Sequence, residues 1–330
     1  MGSTTLAWSI NNTVVNENYN TENFYCITTV NTLTFLTVLV AVVGLVGNAI
    51  VIWLLGFHIH RNAFSVYVLN LAGADFLYLC TQSVYFLECI LQLGIRHLEF
   101  LPIVLIFAYL AGMSMIAAIS AERCLSVMRP IWYHCQRPRH LSAILCALLW
   151  AFSLLLSVML ELVCSFLPSH YKYSFCRTCS FITAAFIIVL FVVISVSSLA
   201  LLVKIICGSH RIPVTRFFVT VTLTVVVFIF FGLPFGISWF LLWWIREFQR
   251  IVFYEIDEIV TFLSCVNSCA NPIIYFLIGS IRHRRLQWQT LKLLLQRAMQ
   301  DTPEEESGER HPSQRSGEPE TVCYSSQVSP

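Results

Sequence analysis

The stretch from Leu33 to Leu55, LTFLTVLVAVVGLVGNAIVIWLL, holds no Asp, Glu, Lys or Arg and is long enough to cross the hydrocarbon core of a bilayer as one helix. Six further apolar runs follow: Phe64 to Leu91, Leu98 to Ser120, Leu141 to Leu162, Phe181 to Cys207, Phe217 to Trp244 and Ile251 to Ile278. Hydrophobic residues make up 57% of the 330 residues and charged ones only 12%, about half the share in ordinary soluble domains. Such a chain cannot cover a water-facing surface. Backbone groups in lipid must bond within their own segment, so each run is expected to be a helix. The predicted fold is all-α, with a seven-transmembrane bundle over residues 33–279. An N-terminal segment, 1–32, precedes it. An amphipathic membrane-surface helix over 280–300 and a disordered tail over 301–330 follow.

Charge placement gives the orientation. The net charge of +2, with no long basic run before the tail, argues against nucleic acid as a partner. One set of connections carries Arg61, then Arg123, Arg129, Arg137 and Arg139, then Lys204, Arg211 and Arg216, then Arg282, Arg284 and Arg285. The other side has Arg96, Lys172, Arg177, Arg246 and Arg250. Because Lys and Arg are retained in the cytoplasm, the amino terminus is expected outside. Asn11-Asn12-Thr13 is a glycosylation acceptor pattern on that same side. No basic stretch followed by an apolar core opens the chain, so the first span is expected to act as its own signal. Ile281, Leu286, Trp288, Leu291 and Leu295 stand among basic and amide residues, the pattern of a helix lying on membrane lipids. From Asp301 the chain is acidic and rich in Ser, Pro and Gly, the composition of a disordered tail.

Polar residues inside the spans are the functional candidates, because lipid penalises them. Asp75 sits in the second span, with Asn48 of the first and Asn267, Ser268 and Asn271 of the seventh as partners. A carboxylate at that depth must meet donors, be protonated or hold a cation such as sodium. The set reads either as a satisfied polar knot or as a core whose bonding differs between two conformations. Pro234 and Pro272 each remove a backbone donor and favour a kink. Glu122-Arg123-Cys124 ends the third span, where the pair is either mutually neutralised or kept ready for a partner.

Other functions lack support. The sequence has no His-Glu-x-x-His, Gly-x-Ser-x-Gly or paired membrane aspartates, so no enzyme and no cofactor are expected. A transporter calls for repeats, broken helices or a chain of ionisable groups, and only Asp75 lies deep.

Gly47-Asn48, Leu71-Ala72-Gly73-Ala74-Asp75, Glu122-Arg123-Cys124, Trp150 and Asn271-Pro272-Ile273-Ile274-Tyr275, in that order, resemble the motifs of rhodopsin-type receptors over nearly the whole chain. Longer strings narrow the likeness: Arg61-Asn62-Ala63-Phe64-Ser65-Val66-Tyr67, Pro130-Ile131-Trp132-Tyr133, Gly232-Leu233-Pro234-Phe235-Gly236 and Ala270-Asn271-Pro272. They resemble the Mas-related receptors, and the tail from Leu291 to Glu306 is similar to that of rodent B-type members. The resemblance implies a plasma-membrane receptor for basic peptide or small cationic agonists in sensory neurons or mast cells. It also implies coupling to heterotrimeric Gq or Gi proteins, with arrestin as a further partner. Arg123 would leave Glu122 on activation to meet the G protein, with Tyr275 holding the opened state. A non-signalling scavenger of the same fold is the alternative.

Departures from the wider receptor pattern matter as much. Gly232 stands where a tryptophan usually precedes the sixth-span proline, and no acidic residue between Ser209 and Arg216 offers Arg123 a cross-bundle lock. Among thirteen cysteines, Cys80, Cys89, Cys124, Cys146, Cys207, Cys265 and Cys269 fall in or beside apolar stretches and are read as buried thiols. No cysteine lies at the outer end of the third span. Cys164 with Cys176 resembles the bridge from fourth to fifth span in the Mas-related group, although Cys179 and Cys26 are also available. In that group an acidic pair recognises cations. Here Glu161 is displaced by one residue and the second position reads as Ser180. The ligand-site candidates are Glu161, Tyr109, Phe235, Trp239, Trp243 and Tyr254, with Glu88 beside them and Glu255, Asp257 and Glu258 as an acidic rim.

Overall fold

The computed structural model describes residues 32–59, 62–91, 100–138, 140–166, 169–207, 216–240, 250–280 and 295. Seven spans are built from them: α1 (Thr32–Trp53), α2 (Ala63–Leu91), α3 (Leu101–Met128), α4 (Leu141–Glu161), α5 (Ser169–Cys207), α6 (Arg216–Val227 and Leu233–Phe240) and α7 (Arg250–Ser280). A short helix, Pro130–Cys135, lies between α3 and α4. No strand occurs among the described residues. The N-terminal segment 1–31 and the stretches 281–294 and 296–330, where the surface helix and the tail are expected, lie outside the described residues.

Two spans run further than their apolar runs. α3 continues past Ser120 to Met128, because its last turns carry Glu122 and Arg123 on a face buried by neighbouring chain. α5 begins at Ser169 instead of Phe181, its first turns being polar. Hydropathy counts only the part of a helix that lipid can touch, so both extensions escape it.

α3 is the axis of the bundle, packed against α2, α4, α5 and α6, while α1 packs on α2 and α7. In its most apolar stretch 78% of residues are buried, against 28% in α4 and α5. Leu148 and Leu155 of α4, and Val189, Val196 and Leu199 of α5, are correspondingly exposed. These are lipid-facing surfaces. Between helices, where lipid gives no hydrophobic push, close approach decides packing. A Cβ at Gly44 would lie 2.6 Å from Leu79 and 3.2 Å from the Cys269 backbone, so only glycine lets α1 sit this deeply between α2 and α7. Trp150 Nε1 donates to Asn70 Oδ1 at 2.9 Å and ties α4 to α2. Asn62 Oδ1 accepts from Ser65 N at 2.7 Å and caps α2.

α6 changes winding where its sequence requires it. Pro234 has no N–H, and directly before it Phe228–Gly232 forms a π turn in which Leu233 N donates to Phe228 O. The wider turn accommodates the missing donor and gives α6 a joint in mid-span.

Candidate functional site

Pro272 sets the chemistry of the middle of the bundle. It lies inside α7 and cannot donate to the carbonyl of Ser268, one turn earlier. Asn48 supplies the missing donor: its Nδ2 bonds Ser268 O at 3.0 Å and Gly44 O at 2.9 Å. One residue from the proline, Asn271 Nδ2 donates to Asp75 Oδ2 at 2.8 Å. Asp75, Asn267, Ser268 and Asn271 are all buried. The Oδ1 atoms of Asn48, Asn267 and Asn271 have no hydrogen-bond partner among the described residues. Asp75, Asn267 and Ser268 line a small cavity. One carboxylate among amide and hydroxyl oxygens suits a small hard cation such as sodium. No cluster of His, Cys, Asp or Glu fit for another metal occurs among the described residues. A polar network with unmet acceptors can exchange partners at modest cost.

At one end of the bundle a disulfide joins Cys164, in the π turn Leu162–Phe166 after α4, to Cys176 in α5, and Cys179 keeps a free thiol. This disulfide end also holds a cleft of about 320 Å³ between α1, α2 and α7. Asp257 and Glu258 of α7 line it, Gln82 and Tyr85 of α2 form another wall, and Phe235 of α6 reaches its base. Contacts continue inward from there. Gln82 Nε2 donates to Tyr78 Oη at 3.2 Å, Tyr78 meets Phe235 edge-on at 5.8 Å, and Phe235 packs on Tyr109 at 5.0 Å between ring centroids. Tyr109 Oη donates to Gly232 O at 3.2 Å, within the π turn of α6. A Cβ at Gly232 would come within 2.7 Å of the Phe228 ring, and one at Gly236 would collide with the Tyr109 hydroxyl. Both glycines leave the room that Tyr109 and Phe228 fill. Packed side chains therefore run without a break from the cleft to the joint of α6.

Of the predicted ligand residues, Tyr109 and Phe235 are brought together, both buried. Glu161 ends α4, half-buried, outside the lining of the cleft but within electrostatic reach of Tyr85, as is Glu88. Ser180, at the second acidic position of the expected pair, is buried in α5. Trp239 and Tyr254 fall on the helical backbone of α6 and α7. Asn11 and Trp243 lie outside the described residues.

At the opposite end, Glu122 and Arg123 are both buried. Arg137, just beyond the short helix, places Nη2 2.5 Å from Glu122 Oε1 and donates from the same atom to Ser142 Oγ at 2.5 Å. Tyr67 Oη donates to Glu122 Oε2 at 3.4 Å. The Arg123 guanidinium lies 4.6 Å from the centroid of the Phe64 ring. Tyr133 of the short helix is within hydrogen-bonding reach of Glu122; burial pushes its phenol up while Arg123 pulls it down, and it stays a neutral donor. Tyr275 is buried beside Thr224 of α6. The carboxylate of the expected Glu122–Arg123 pair thus meets Arg137 and Tyr67, while Arg123 lies over Phe64.

Gln82, Tyr78, Tyr67 and the role of Arg137 escape a reading by motif. For Gln82 a signal existed: it stands two helical turns after Asp75 and hence on the same face of α2. For Arg137 none did, because its partner comes from the fold.

Residues 47–275 match the model of the seven-transmembrane receptors of the rhodopsin family. The chain is 74% identical to the Mas-related G-protein-coupled receptor member B4 of Mus musculus, over 98% of this chain and all of that protein. It is 70% identical to member B5 of the same species, over 98% and 100%. To member X2 of Homo sapiens it is 51% identical, over 94% of this chain and 95% of the relative.

Proposed function

The chain belongs to the rhodopsin family of seven-transmembrane receptors and, within it, to the Mas-related G-protein-coupled receptors, and from that membership we propose which ligands it answers and how the answer crosses the membrane. It is a multi-pass plasma-membrane receptor that takes an extracellular agonist and acts on a heterotrimeric G protein; it is not an enzyme. We infer that its agonists are basic peptides or small organic cations, that it couples to Gq, Gi or both, and that it works in sensory neurons or mast cells. The disulfide end faces outward with a glycosylated Asn11, and the Arg123 end faces the cytosol, where arrestin also binds and residues 280–300 lie on lipid.

The observation that supports this ligand class is the cleft at the disulfide end. Asp257 and Glu258 line it, and no Lys or Arg is among its described lining residues. A cation entering there meets Phe235, which leans on Tyr109 and through it on the π turn of α6. A small shift of that joint becomes a larger one toward the Arg216 end of the helix, past Thr224, which lies beside Tyr275. The exchangeable bonds at Asp75 let α7 follow, and a sodium ion held there by Asp75 and the neighbouring oxygens would favour the closed form.

The test is a screen of the receptor in cells with calcium and cyclic-AMP readouts. Basic peptides and organic amines should raise one signal or lower the other, and charge-neutral counterparts should not. Equal responses to neutral counterparts would exclude the ligand class.

A further inference from the structure

We propose that Asp257, with Gln82 at the bottom of the same cleft, is the site at which a cationic agonist docks in this chain, in place of Glu161. The inference rests on the reading that the agonists are cations, and it names the place and the chemistry of their recognition.

Four observations converge on the cleft. Gln82 is 5% exposed and lines the cleft, its Nε2 is taken by Tyr78, and its Oε1 meets no donor among the described residues. An amide oxygen on the wall of a cleft is an acceptor that a ligand N–H group can use. Asp257 forms no ion pair and no hydrogen bond among the described residues, and it lines the same space. Carboxylates cluster around it: Glu258 lines the cleft, Glu88 and Glu161 both act on Tyr85, and no Lys or Arg is among the described lining residues. Glu161 itself does not line the cleft, and Ser180 offers it no acidic companion.

Size and wall chemistry define the ligand. A space of about 320 Å³ lies at the small end of ligand clefts and accepts one charged head with its alkyl stem. Leu33, Phe86 and Leu105 supply apolar surface for methylenes, and Tyr85 and Phe235 add aromatic side chains to the wall. The matching chemistry is an alkylguanidinium or alkylammonium group, with N–H groups for Asp257 and Gln82 together. It can arrive as the side chain of a basic peptide or as a free small molecule.

The test reads the charge of the cleft without any known agonist and without a G protein, so its failure is separate from failure of the ligand-class reading. Thr261, a lining residue of α7, is replaced by cysteine in the full-length receptor on intact cells. Reaction rates are compared for cationic 2-aminoethyl methanethiosulfonate and neutral methyl methanethiosulfonate, after subtraction of labelling in the receptor without the new cysteine. The cationic reagent should be favoured about tenfold or more over its ratio on a free thiol, the scale of electrostatic focusing in a charged cleft. Asp257→Asn should remove most of that preference and Glu161→Gln should leave it. Agmatine alone slowing the reaction would identify small free cations as the occupants, and slowing by a hexa-arginine peptide would identify peptide side chains. An unchanged ratio in Asp257→Asn, a preference lost only in Glu161→Gln, or protection by neither cation would overturn the proposal. If Thr261→Cys does not reach the surface, Thr34→Cys on the facing wall carries the same measurement, and no reaction there with either reagent would also overturn it.

Discussion

Arg137 Nη2 lies 2.5 Å from Glu122 Oε1, so the acidic member of the Glu122-Arg123 motif is engaged by an arginine from the α3–α4 connection. Both side chains are less than a tenth exposed, at 8% and 5%, which puts the pair among those that are costly to break. Arg137 competes with Arg123 for one carboxylate. In Arg137→Leu, Glu122 should turn to its neighbour and restrain it. A hydrogen bond to a charged group contributes about 1.5 to 3 kcal/mol, so agonist potency should fall roughly tenfold to a hundredfold. Glu122→Gln should act in the opposite sense and raise basal signalling. Concentration–response curves for both variants, corrected for surface expression, check the two signs.

Arg123 is the group expected to meet the G protein. It is buried against Phe64 and carries its charge at the end of the central helix away from the disulfide. Arg123→Ala should abolish G-protein activation and leave surface expression and radioligand binding largely intact. Signalling at the wild-type level would remove Arg123 from this role.

The disulfide ties the end of α4 to the start of α5 across a sequence separation of 12 residues. Closing a loop of that size restricts the unfolded chain by about 3 kcal/mol, and by less in a membrane bundle. Cys164→Ser and Cys176→Ser should show the same loss of surface expression or response, and the double variant no more than either. Cys179 carries a free thiol, and Cys179→Ser should be near wild type by cell-surface staining.

Gly236 gives way to the Tyr109 hydroxyl, which bonds Gly232 O. Tyr109→Phe loses one neutral hydrogen bond, worth about 1 kcal/mol, and should shift potency only a few-fold. Gly236→Ala drives a methyl group into the same oxygen and should be the more damaging change. Removing the hydroxyl makes room, so the double variant should recover part of the lost response. A purely additive double variant would break the proposed link between α3 and the joint of α6.

The seven spans were legible because lipid imposes one rule on every backbone group, and Leu33 to Leu55 obeys it without exception. Asp75, Asn271 and Pro272 were legible for the complementary reason, that polar groups and prolines inside such runs need an explanation. The extensions of α3 and α5 were not, since charged and polar turns beyond the lipid leave no apolar trace. Nor was the pairing of Arg137 with Glu122, which depends on how the connection after α3 folds back. The cleft was hidden in the same way: Thr37, Gln82 and Asp257 come from three helices, and only their packing makes them neighbours. Glu161 stood out by its motif, yet packing puts it outside that lining.

A cation bound at the disulfide end should be converted into G-protein activation at the Arg123 end. The most direct measurement is nucleotide exchange on purified Gq and Gi by the full-length receptor in lipid nanodiscs, with matched basic and charge-neutralised peptides. Basic peptides should accelerate exchange on at least one G protein, neutralised ones should not, and Arg123→Ala should be silent with both. Exchange driven equally by the neutralised peptides, or binding of basic peptides with no exchange on either G protein, would contradict it.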